Sequence, residues 1–233
     1  MTNRGIALIM VILVTAFLSA LGIGLIMAVF MDRLATGNMA GSVAMLYAAD
    51  AGIELAAHDL AQVDDWDQVL SGAEQSGFVD GAPGGVRGIP GGGGIDLTAA
   101  TNQLNCGKST NCTPAQMNAN SRERPWGANN PQWKLFVYGP MDRLTQLSRP
   151  APCYLAVWVA DDGREQDGEP LSDAVEDASG HGIVRVHAEA YGVAGSRRAI
   201  EAELARICPA AGAEACLPGI RVQSWQELRQ GLP

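Results

Sequence analysis

The chain has 233 residues, room for one large domain or two small ones, and only 18% of them are charged, against about 25% in an average soluble domain. A net charge of −9 removes the basic footprint that phosphate backbones select, which argues against nucleic acid as a partner. Three His, and five Cys with no CxxC pair, leave little for a structural zinc site.

The apolar residues are concentrated at the front. Residues 1–5 are a short polar leader with one base, Arg4, and Ile6 to Phe30 is a run of 25 residues without a charge. As a helix, such a run is about 37 Å long, enough for the ~30 Å hydrocarbon core of a bilayer. A secretory signal peptide has a shorter apolar stretch, about 7–15 residues, followed by a cleavage site. The run therefore reads as a single membrane span. Arg4 and the amino terminus put the leader on the cytoplasmic side, and everything beyond Phe30 on the other.

The helix is expected to continue over 31–64, a stretch rich in alanine and free of proline. Met39, Val43, Leu46, Asp50, Ile53, Ala57 and Leu60 follow a 4-3-4-3 spacing that predicts one packing seam. Asp50 is its polar member, with Glu54 one turn on. Both are assigned to helix packing.

This order of features resembles the type IV pilins, and in particular the PilX-type minor pilin or pilus assembly family. The resemblance rests on Arg4-Gly5-Ile6-Ala7-Leu8-Ile9, the apolar run, Met39-Ala40-Gly41, and Leu46-Tyr47-Ala48-Ala49-Asp50-Ala51-Gly52. The last stretch is similar to the family's AAEAG segment, with Asp50 in place of glutamate. The likeness covers about the first 60 residues. A looser one extends over Gly182 to Val186 and Ser196 to Ala202.

The resemblance implies cleavage between Gly5 and Ile6 by a prepilin peptidase and methylation of the new amino terminus. It also implies an inner-membrane precursor with a periplasmic head, and other pilin subunits, membrane lipid and the inner-membrane assembly machinery as partners. The chain departs from major pilins at the first mature position, Ile6 where they have Phe, and at the fifth, Met10 where they have Glu. An acid there neutralises a neighbour's terminal amine inside a filament, and a buried unpaired ammonium costs several kcal/mol. The departure implies a minor subunit that initiates or caps a filament, as tip pseudopilins of type II secretion do. A simple membrane-anchored periplasmic binding or adhesion module is the alternative.

Past the helix, ten glycines fall within residues 72–94, with no GxxxxGK or GxGxxG frame for phosphate. Residues 98–131 are rich in Asn, Thr, Pro and Ser, so 65–132 reads as irregular connection. The head is assigned to 133–233. Trp133–Tyr138 and Cys153–Ala160 read as strands. Ile183–Val193 and Arg197–Ile207 read as a hairpin whose Arg185, His187, Glu189 and Tyr191 face water. With the helix seam covering the sheet, the fold class is α+β.

Residues 161–177 hold eight acids and one base. Crowded carboxylates suit a hard cation, and Asp161, Asp162 and Asp167, completed by Glu169 or Asp173, are the candidate calcium ligands; the spacing is not that of an EF-hand. A solvated acidic turn is the other reading. Cysteine usage fits an oxidising compartment, with Cys106–Cys112 and Cys208–Cys216 as candidate local disulfides and Cys153 left over, although five cysteines allow other pairings. No GxSxG, HExxH or P-loop is present, and His58, His181 and His187 have no organised partners in sequence. The chain reads as a non-enzyme.

Overall fold

A computed structural model describes residues 4–119, 132–144, 152–165, 168–173, 180–207 and 217–228. The chain divides into two compact units, residues 1–41 and 42–233. Helix α1, Arg4–Leu60, contributes to both.

In the first unit the side chains of residues 6–40 are all exposed. Thr15 and Ser19 return their hydroxyls to backbone carbonyls one turn back, Thr15 to Val11 and Ser19 to Thr15. These polar side chains therefore present no unsatisfied donor to an apolar surrounding. Nothing lies within 4 Å of a Cβ placed at Gly22, Gly24, Gly37 or Gly41.

The second unit is built on a five-stranded antiparallel meander, β3 to β7 in chain order. Its strands are β3 Lys134–Pro140, β4 Cys153–Asp161, β5 Ile183–Gly192, β6 Arg197–Ile207 and β7 Leu217–Leu228. The alternation read in the sequence maps onto two sheet faces. Leu155, Val157, Val184, Val186, Ala188, Ile200, Ala202 and Leu204 share one core with Met45, Ala48, Ala49, Ile53, Ala56 and Leu60 of α1. Burying Ile53 and Leu60 stabilises the fold by about 1.5–3 kcal/mol each.

The helix seam keeps Ile53 and Leu60 of the spacing-predicted set at its centre but is rotated from it elsewhere. Val43 is exposed, Leu46, Asp50 and Ala57 are half-buried, and Met45, Ala48, Ala49, Gly52 and Ala56 make the contact instead. Small residues win this stripe because the backbone lies close to the sheet. A Cβ on Gly52 would sit 2.7 Å from Leu155 Cδ1 and 3.0 Å from Val157 Cγ2. A spacing scan favours large apolar residues and passes over a seam made of alanine and glycine.

The second face of the sheet is also covered, contrary to the solvent-facing assignment. Ile95, Leu97, Trp133, Leu135, Tyr138, Tyr154, Ala156, Trp158 and Ala160 form a second core there. Arg185, His187 and Glu189 are buried with it.

The segment read as irregular supplies the cover through Ile95 and Leu97, while its Trp66, Val69 and Leu70 pack into the first core. It contains α2 Trp66–Ser71, a small hairpin of β1 Val86–Gly88 and β2 Gly94–Asp96, α3 Leu97–Cys106 and α4 Pro114–Ala119. Each longer piece has its own stop and start signals. Asp65 caps α2 through the Asp67 N–H, and Asp96 caps α3 through the N–H groups of Thr98 and Ala99. Gly72 and Gly107 end the same two helices at φ of 82° and 70°, backbone that glycine adopts at no steric cost. Asn105 then ties α3 to the backbone of Trp133 at both its amide ends, 2.7 and 3.0 Å.

Candidate functional site

The surface that sets this chain apart from a soluble domain is the first unit. Its helix is long and apolar enough to cross a membrane once, and its apolar side chains are not buried. An apolar helix at this position is compatible with a membrane span and with a signal sequence. Gly5 lies in the first turn of α1, and Ile6 and Met10 are both exposed. Exposed apolar side chains over this length suit a non-aqueous surrounding.

In the second unit, α1 and the sheet are tied by polar contacts at the margin of the core. Trp225 Nε1–H of β7 donates to Asp50 Oδ1 at 2.8 Å. The guanidinium of Arg198 in β6 donates to Ser42 Oγ and, at 3.0 Å, to Glu227 of β7. Asp50 thus fixes the helix to the last strand, whereas Glu54 is exposed. The outer face of α1 also keeps Val43 and Tyr47 exposed, Tyr47 at 69%.

Cys106 and Cys112 form a disulfide at the end of α3. Cys153 is buried and free, and burial together with the Asp142 charge pushes its thiol up to about 11, so it is no nucleophile at neutral pH. Cys208 and Cys216 lie outside the described residues.

Of the candidate calcium ligands, Asp161 and Asp162 are buried at the end of β4. Asp161 Oδ1 accepts the Asp162 N–H at 2.7 Å, and Asp162 Oδ1 accepts the Arg164 N–H at 3.1 Å. Glu169 is exposed. Both oxygens of Asp173 accept the Gly182 N–H, at 2.8 and 3.1 Å. The Asp173 N–H in turn donates to Asp67 Oδ1 at 2.6 Å, which pins this acidic segment to α2. Burial pushes the Asp173 carboxyl up, against the pull of the Gly182 N–H and the nearby His181 and Arg206. Asp167 lies outside the described residues. Among the described residues no three His, Cys, Asp or Glu side chains come together as a metal site.

The densest electrostatic feature lies on the second face of the sheet, at positions that the alternation assigned to solvent. His187 is 2% exposed. Its Nε2 lies 2.8 Å from Glu189 Oε1 and its Nδ1 3.1 Å from Glu201 Oε1. A neutral imidazole has one N–H, so donation to both carboxylates requires the imidazolium. Burial alone would lower the His187 pKa, but the hydrogen bonds and charges of Glu189 and Glu201 outweigh it and raise the value.

Burial works against the Glu189 carboxylate as well. His187 and Arg197 overcome that penalty and hold Glu189 down at about 2. Arg197 and Tyr191 both donate to Glu189, Arg185 donates to Glu201 at 2.9 Å, and Trp133 and Trp158 meet the imidazole edge-on at 5.7 and 5.8 Å. All ring hydrogen bonds are spent within the cluster, and no face of the ring is open to a substrate. The arrangement suits a structural role. The signal available in sequence was the opposite-charge register of a hairpin, Arg185 across from Glu203 and His187 across from Glu201.

Comparison with known proteins finds no matching family model, curated relative or solved structure.

Proposed function

We propose that the chain is a pilin-like subunit of the minor, PilX-type class, which takes part in assembling, initiating or capping a type IV pilus-like filament. The observation that carries this reading is the division of labour along α1. Its first part presents apolar side chains on all sides, and its last turns supply Ile53, Ala56 and Leu60 to the core of an α+β head. An apolar helix leaves a bilayer only when an equally apolar surrounding receives it, and a bundle of such helices with heads outside supplies one.

In this reading Ile6–Phe30 spans the inner membrane before assembly, with the leader cytoplasmic and the head periplasmic. Gly5 and Ile6 flank the processed bond. The head carries the contacts to other subunits and performs no catalysis. Met10 at the fifth mature position suits a subunit used once, at an end, rather than repeated along a shaft.

Replacing Gly5 by leucine tests the proposal in cells that contain the processing machinery. Loss of the leader cleavage together with loss of co-purification with filament subunits is the expected result. Unchanged chain length and unchanged partners in the variant would refute it and leave a membrane-anchored module.

A further inference from the structure

The two edges of the main sheet are finished differently. Beyond β3, residues 76–79 close the edge. The Ser76 N–H donates to the Phe136 carbonyl and the Tyr138 N–H to the Phe78 carbonyl, each at 3.1 Å, and Val79 bridges Tyr138 in parallel. Beyond β7, no described residue hydrogen-bonds to the strand. β7 is 12 residues long, and positions 221–227 are all exposed.

Edges that must stay single are usually short, charged, proline-bearing or strongly bulged. After Pro218, β7 has no further proline in its described length and two charges of opposite sign, Arg221 and Glu227. It carries a single bulge at Gln223 over its exposed length, where the pairing steps from Leu204↔Val222 to Glu203↔Ser224. A row of backbone N–H and C=O groups at strand spacing is complementary to another extended backbone and to neither a helix nor a lipid surface.

We infer that β7 is an association edge that pairs antiparallel with β7 of a second copy of this chain, about a two-fold axis through Ser224. The strand is self-complementary in that register. Val222 and Trp225 lie across from Leu204 and Ala202, so both point to the α1 side of the sheet, and they are 43% and 47% exposed. The two-fold sets Val222 of one copy against Trp225 of the other, twice, with Gln223 outside the register as it is against β6. On the opposite side Gln226 meets Arg221. No like charges face each other, and the two meanders become one ten-stranded sheet. The inference stands on the sheet alone and does not depend on the filament reading.

The test uses the full chain in detergent micelles. Ser224→Cys places two thiols at the axis, and oxidation gives a covalent dimer above the wild-type background, while Glu54→Cys on the exposed face of α1 does not. Ser224→Lys sets two like charges opposite each other and weakens dimerisation on the order of tenfold by light scattering, with an unchanged far-ultraviolet spectrum. A chain that stays monomeric overturns the inference. So does a dimer that is indifferent to Ser224→Lys and lacks the Ser224→Cys cross-link; it would place association on another surface, such as α1.

Discussion

Replacing Glu189 by glutamine keeps the shape of the side chain and removes the charge that His187 and Arg197 share. In the native head, Glu189 is 1% exposed and its carboxyl is held at about 2, against an ordinary value of 4.5. At about 1.4 kcal/mol for each pH unit of that difference, the ionised carboxylate contributes about 3 kcal/mol to folding at neutral pH. The figure falls within the roughly 3–5 kcal/mol lost when one partner of a buried ion pair is removed. Because the folded value lies below the unfolded one, the contribution is present above the ordinary carboxylate range and is lost as pH falls toward about 2. Denaturant unfolding of the full chain in detergent, followed by tryptophan fluorescence at a series of pH values, reads both effects. Glu189→Gln lowers the unfolding free energy by about 3 kcal/mol at pH 7, and the acid-side decline shrinks by a similar amount. A loss below about 1 kcal/mol at pH 7, with an unchanged acid limb, would refute the cluster as a source of stability.

Three more outcomes follow from the same packing. The raised pKa of His187 gives a contribution that is full below the ordinary histidine value and lost as pH rises through the folded one, so His187→Gln flattens the alkaline limb of the same stability curve. Gly52→Val drives a branched side chain into Leu155 and Val157 and costs about 1–3 kcal/mol, more than its gain in helix propensity; a thermal melt no lower than wild type would show that the helix can lift off the sheet freely. Cys106→Ser opens a short disulfide loop and costs about 2 kcal/mol, seen as a lower melting temperature and a smaller further drop on adding reductant than in the wild type.

The parts of the fold that sequence made legible are those with a strong period or a single chemical meaning. The charge-free run from Ile6, the alternation of Val184, Val186, Ala188 and Ala190, and the hairpin into Arg197–Ile207 all appear in the structure where the pattern puts them. Three features were hidden for physical reasons. The α1 seam uses Ala48, Ala49, Gly52 and Ala56, whose small side chains carry little hydrophobic signal but permit close approach. The face with Arg185, His187 and Glu189 is polar by composition and still buried, because its charges satisfy one another beneath Trp133. The third, strand β7, follows a stretch dense in alanine, proline and glycine and carries Gln and Ser between Val222 and Trp225, so it lacked the apolar alternation that marked its neighbours. Within 65–132, the caps Asp65 and Asp96 were readable as helix starts, but glycine-rich composition dominated the segment.

Mass spectrometry of the amino terminus, on chain taken from membranes that contain the processing machinery, tests the central claim most directly. The account predicts a chain that starts at Ile6 with a methylated amine. An intact Met1 would contradict it and leave a plain membrane anchor, and cleavage within residues 20–35 would contradict it by showing that the apolar run is a removed signal.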